Sequence, residues 1–162
     1  LFGMLYDTQV FHTASTTARA LKIAAACIED YGVDLFALSR ELLTHANPKI
    51  LPFWGSVLQR VVIDEHKQVL LVTVTQAQLQ AHGLGQEGLL GLNNFIAEVT
   101  PLDTVIVFSE DPQGRCKISF RSKKRDVNQL AAQFGGGGHK HASGAVLNMS
   151  VVDAAQAVLL AM

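Results

Sequence analysis

Apolar positions fall into two textures along the chain. In the first 45 residues they recur at helical spacing. Leu21, Ala24, Ala25 and Ile28 share one face of a stretch that Ser15, Thr16 or Thr17 can cap and Gly32 can stop. Leu35, Leu38 and Leu42 share a face of a second stretch, opened by Asp34 and closed by Asn47-Pro48, with His45 an ordinary polar residue at its end. Before both, Leu1-Phe2-Gly3-Met4-Leu5-Tyr6 is an unbroken apolar run that reads as a buried strand entered in mid-course, as in a fragment of a longer chain. Asp7-Thr8 then stands at the carboxyl end of that strand, where open α/β sheets place ligand-facing groups; a turn or capping Asp explains the position equally well.

The later part alternates with strand periodicity. Residues 61–63 and 69–74 are β-branched runs flanking a polar turn, which predicts a hairpin. Residues 75–82 read as a helix stopped by Gly83, and residues 87–99 as a second helical stretch interrupted by Gly88 and Gly91. Residues 103–108 and 116–120 form strands around an Asp111-Pro112-Gln113-Gly114 turn. In the second of them Cys116, Ile118 and Phe120 alternate with Lys117 and Ser119, so one face is buried and the other wet. Asp126 caps a helix through Phe134, residues 145–149 make a last strand, and Ser150 caps a closing helix carrying Val151, Ala155, Val158 and Leu159. Between the textures, Pro, aromatic and Gly content marks residues 48–55 as a connector, with Phe53 and Trp54 as packing residues because no basic side chains interleave them. The pattern predicts an α/β protein with an amino-terminal part at 1–47 and a compact domain with a mixed sheet at 56–162.

Composition narrows the chemistry. With 162 residues, 49% hydrophobic and 17% charged, the chain is long enough for a real core. A formal charge of -1 gives no global attraction to nucleic acid, so any anion site must be local. Cys27 and Cys116 lie on separate apolar segments, which fits reduced thiols in a cytoplasmic protein, and no Cys/His spacing suggests zinc. The apolar runs are too short to cross a bilayer.

One local site stands out. Gly135, Gly136, Gly137 and Gly138 run directly into His139-Lys140-His141. Bare glycine backbone admits a ligand close to its N–H groups, and the run is too short and too poor in Ser to read as a tether. Arg121-Ser122-Lys123-Lys124-Arg125 ends the strand that precedes the helix leading into this run. A charge run is usually a solvated face, but here Arg121 and Lys123 can supply one side of an anion site and the glycine amides with His139 the other. His139 can equally be a histidine anchoring its own loop, and His141 alternates away from it.

The combination of Ser119-Phe120-Arg121-Ser122, a short helix and Gly135-Gly136-Gly137-Gly138-His139-Lys140-His141-Ala142-Ser143-Gly144 resembles the DHH-associated domain of the DHH phosphoesterase superfamily. The likeness is nearest to the bacterial nanoRNase and pAp phosphatase group and extends from about residue 56 to the end. Gly3-Met4-Leu5-Tyr6-Asp7-Thr8 looks like the last motif of the catalytic DHH domain, with Gln9 where the family has glycine. The resemblance implies the tail of a parallel-sheet DHH domain followed by the DHH-associated domain. It makes Asp7 a manganese ligand, and Arg121, Ser122, Gly135, Gly136, Gly137, Gly138 and His139 substrate-binding residues. It implies manganese-dependent hydrolysis of short single-stranded RNA or DNA oligonucleotides or of 3′-phosphoadenosine 5′-phosphate (pAp), with a homodimer as an open option. The family's earlier Asp-rich and Asp-His-His motifs are absent from these residues, so one carboxylate stands where a two-metal centre needs several. The expectation is therefore a substrate-binding portion that binds nucleotide weakly and by itself hydrolyses nothing at a useful rate. A non-catalytic nucleotide-binding module is the rival; the editing-associated domain of alanyl-tRNA synthetases fits less well, because Asp7-Thr8 and the Gly-His-Lys ending match the phosphoesterases better.

Overall fold

A computed structural model describes residues 1–13, 16–43 and 47–162. Ser15 and His45 lie outside the described residues. The chain divides into two units, residues 1–46 and 47–162.

The described elements of the first unit are helices α1 (Phe2–Asp7), α2 (Ala18–Tyr31) and α3 (Leu35–Leu43). The strand expected over the opening apolar run is thus helix α1. Leu, Phe, Met and Tyr suit either state, and a run this short carries no period that separates helix from strand. Thr17 caps α2 by accepting from the Ala20 N–H at 3.1 Å, and Gly32 ends it at φ +63°. Asp34 accepts from the Ala37 N–H at 2.9 Å at the start of α3. Gln9 takes φ +48°, a left-handed conformation in which glycine would sit without strain.

The second unit opens on α4 (Ile50–Leu58), so the residues read as a connector are helical. Ile50, Phe53, Trp54 and Val57 are buried along one face of α4, and that spacing decides the matter despite Pro52 and Gly55. Trp54 donates its indole N–H to the Gly88 carbonyl at 2.8 Å and lies against the Phe95 ring, which makes it a packing residue as the sequence predicts.

The described strands are β1 (Val62–Asp64), β2 (Val69–Val74), β3 (Thr104–Glu110), β4 (Cys116–Ser122), β5 (Gly137–His139) and β6 (Ala142–Leu147). They form one sheet in the order β1-β2-β3-β4-β6-β5, parallel between β2 and β3 and antiparallel elsewhere. This is the α/β fold with a mixed sheet that the sequence predicts. The last strand begins at Ala142 because its first residues pair with β5, a strand the glycine run conceals. Helices α5 (Gln76–Ala81) and α6 (Leu92–Val99) lie between β2 and β3, α7 (Val127–Gln133) between β4 and β5, and α8 (Val151–Ala161) closes the chain. The interrupted helix expected over 87–99 resolves into a 3-10 turn, Gln86–Leu89, and α6, joined by Gly91 at φ +80°.

Two cores lie on opposite faces of the sheet. Leu70, Val72, Val74, Val105 and Val107 pack with α4, α5 and α6. Val69, Leu71, Ile106, Phe108, Cys116, Ile118 and Phe120 pack with α7 and α8. Both cysteines are free, and burial with nearby Asp111 and Glu110 pushes the Cys116 thiol up to about 11. Strand β4 feeds only the second core. Its other face, carrying Lys117, Ser119 and Arg121, adds no residue to the first core, and α6 reaches it at Arg121 through Asn94. Among the described residues no helix is long and apolar enough to cross a membrane.

Candidate anion-binding face

The open side of β4, β6 and β5 is built by strand register. Residues paired across antiparallel strands point to the same face. Val105, Arg121, Ala142 and His139 form one row, and Val107, Ser119, Gly144 and Gly137 the next. Lys117 pairs with Val146 in a third row. Arg121 and His139 therefore share a face and flank Ala142, with their backbones about 10 Å apart, two strand spacings. The floor between them is Ala142, Gly144 and Gly137, side chains too small to fill it. Beside this row lies a hollow of about 330 Å³ lined by Lys117, Ser119, Gly135, Gly136, Gly144 and Val146 among others.

Arg121 is half-buried where the layer of α6 ends. Its Nε donates to Asn94 Oδ1 of α6 and its Nη1 to the Phe120 carbonyl, both at 2.9 Å. These bonds leave further guanidinium N–H groups uncommitted. Burial alone lowers its pKa, and among the described residues no carboxylate pairs with it. A half-buried cation held only by neutral acceptors has the charge and the N–H groups to receive an anion.

The glycines have separate tasks. The Gly135 N–H donates to the Ala132 carbonyl at 3.1 Å and the Gly136 N–H to that of Ala131 at 2.9 Å, the paired bonds of a left-handed helix C-cap, with Gly135 at φ +70°. The sequence led us to expect these amides to be bare; the end of α7 takes them. A Cβ on Gly136 would lie 2.1 Å from the Gly144 carbonyl oxygen, so glycine here permits contact between the segment and β6. The Lys140-His141 turn is pinned at both sides: its carbonyls accept from Val127 N–H at 2.9 Å and Ser122 N–H at 3.1 Å.

Ser122 is not brought to this face. It is buried on the opposite side, where its hydroxyl donates to Asp103 Oδ2 at 3.1 Å and accepts from the Arg125 N–H at 2.8 Å, shaping the turn after β4. Lys123 Nζ donates to the Thr100 carbonyl at 2.5 Å and Arg125 Nη2 to that of Lys67 at 3.2 Å, so two cations of the basic run are tied to backbone. His139 is exposed on the face, while His141 lies in the hairpin turn. Ser119, Gly144 and Asn94 were missed as site residues. Strict alternation along β4 places Ser119 with Arg121, whereas Asn94 arrives by helix docking and has no local signal.

Asp7 is the exposed last residue of α1. Among the described residues no group of three or more His, Cys, Asp or Glu side chains could hold a metal ion. The described residues do not fit the manganese centre that the resemblance implies, and no chemical step is derived through it.

The DHHA1 domain model matches residues 67–161. The chain is 31% identical over 156 residues to the bifunctional oligoribonuclease and PAP phosphatase NrnA of Thermus thermophilus, covering 96% of this chain and 46% of that protein. It is 27% identical over 143 residues to the probable bifunctional oligoribonuclease and PAP phosphatase NrnA of Streptococcus mutans, covering 88% and 45%. It thus spans slightly under half the length of these relatives. Among solved structures, an exopolyphosphatase-related protein of Bacteroides fragilis superposes with a TM-score of 0.84 at 24% identity, covering 96% of this chain and 47% of that one; the likeness is one of fold.

Proposed function

Because this chain belongs to the DHHA1 domain family, we propose that the open face of β4, β6 and β5 binds the phosphates of short oligonucleotides or of pAp, as the substrate-binding portion of a metal-dependent phosphoesterase. The observation that carries this is the row Arg121, Ala142, His139: a guanidinium with no carboxylate partner among the described residues and an imidazole on the same face of the sheet, over a floor of small residues. Arg121 supplies charge and directional N–H groups to a phosphate oxygen. His139 contacts the same or the next phosphate from the other side, and Gly137 and Gly144 let the sugar-phosphate chain lie against the sheet. Manganese, as in the DHH group the sequence resembles, would be held by ligands that the described residues do not supply.

The test is a calorimetric titration of pAp and of a 5′-phosphorylated dinucleotide against the parent chain, Arg121→Ala and His139→Ala. Each substitution is expected to weaken binding about tenfold, the worth of one charge-assisted hydrogen bond. Parent-like affinity in both variants overturns the reading. With manganese added, the 162-residue chain is expected to turn over neither compound. Robust hydrolysis would show that it does assemble a metal centre.

A second reading, a nucleotide-binding module without catalysis, is favoured by the isolation of Asp7 from any group able to hold a metal among the described residues. An Asp-x-Asp and an Asp-His-His motif upstream in the natural gene product would decide for the enzyme.

A further inference from the structure

Buried charges in proteins are normally paired, and the commonest way to hold an arginine in one orientation is a carboxylate across its Nε edge. Arg121 is held across that edge by an amide. Asn94 Oδ1 accepts from Nε at 2.9 Å, and the Phe120 carbonyl accepts from Nη1 at 2.9 Å. Both acceptors are neutral. Asn94 is itself fixed in place: it lies in the first turn of α6, between Leu92, fully buried, and Phe95, whose ring lies against Trp54.

We infer that Asn94 is a positioning residue for Arg121: it fixes the guanidinium plane toward the open face while leaving its whole charge to a phosphoester anion. A carboxylate at this place would orient the side chain as well but would answer its charge within the protein, and an incoming phosphate would then have to compete with it. The amide keeps orientation and charge apart. The inference rests on the binding reading above, and its test separates the two.

The experiment measures affinity of the full chain for a 5′-phosphorylated dinucleotide at two salt concentrations, with thermal unfolding of each variant alongside. Asn94→Asp keeps the shape of the side chain and adds a charge. It is expected to weaken binding about tenfold and to flatten the salt dependence as Arg121→Ala does, without lowering the unfolding temperature. Asn94→Ala removes orientation but not charge, and is expected to weaken binding about threefold with the salt dependence kept. It also serves if the Asp variant does not fold. In the Arg121→Ala background, the neutral Asn94→Ala is expected to add no further loss, which a structural role of Asn94 would not produce. Parent-like affinity of both Asn94 variants, with Arg121→Ala weakened, overturns the role of Asn94 alone. Additive losses in the double variant overturn it too. Parent-like affinity of Arg121→Ala overturns the binding reading beneath it.

Discussion

Gly136 and Gly137 are neighbours in sequence with opposite tolerances. A methyl group on Gly136 would overlap the Gly144 carbonyl oxygen at 2.1 Å and the Ala145 Cβ at 2.6 Å, and backbone cannot give way cheaply. Gly136→Ala is therefore expected to cost about 3 kcal/mol of stability. On Gly137 the same methyl meets only Asn128 Oδ1, at an ordinary 3.8 Å. Gly137→Ala is expected to hold its stability within about 1 kcal/mol yet weaken dinucleotide binding, because the methyl stands on the floor beside Gly144. Chemical denaturation and calorimetry on the two variants read both effects; equal losses of stability would sink the distinction. The sequence shows four equivalent glycines. Only the register of β5 on β6 divides them into a helix cap, a close approach and a floor.

At the scale of elements, the turn from β4 into α7 is arranged around the Asp103 carboxylate. Burial works to raise the Asp103 pKa, but hydrogen bonds from Thr104, Lys124 and Ser122 outweigh it, and the carboxyl lies below its ordinary value. A carboxyl depressed in the folded state stabilises the fold above its unfolded pKa, and the contribution is lost as pH falls through the folded value. Asp103→Asn is expected to cost about 1 kcal/mol at pH 7, modest because the group is partly solvated. The gap to the parent should close on acidification below the usual carboxylate range, and denaturation curves at the two pH values check it. This turn also explains why Ser122 resists a reading from sequence. It follows Arg121 directly, and strand alternation sends the two side chains to opposite faces, one toward the candidate site and one into the turn. The helices with clear caps, such as those opened by Thr17, Thr75, Asp126 and Ser150, are legible because each cap is a local event. Helix α1 is not, since a short apolar run has no partner nearby to declare its period.

At the scale of the whole molecule, charge is nearly balanced: 13 Lys and Arg against 14 Asp and Glu. Long-range steering of a polyanion is weak, and affinity must come from the few cations on the open face. With Arg121 and Lys117 as the contacts, log K against log salt for a single-stranded dinucleotide is expected to have a slope of about -1.4, from roughly two neutralised phosphates. A slope several times steeper in a salt titration would place binding on another surface. Burial on both faces was foreseeable from the continuous apolar runs of β2 and β3, and the wet side of β4 from its alternation. That this wet side continues across β6 to His139 was not, because the pairing of β5 joins residues whose relation depends on hydrogen bonds, with little side-chain pattern to announce it.

The pinned Lys140-His141 turn has one more consequence. A glycine-rich segment is the part of an unfolded chain with the most conformations to lose, and wherever such a segment closes over a ligand on binding, that loss is charged against affinity and slows capture. Here β6, the end of α7 and two backbone hydrogen bonds already hold the segment in the free protein. The ordering is completed when the domain folds, so a nucleotide meets a surface already shaped for it, and its binding energy is left for contacts with the surface.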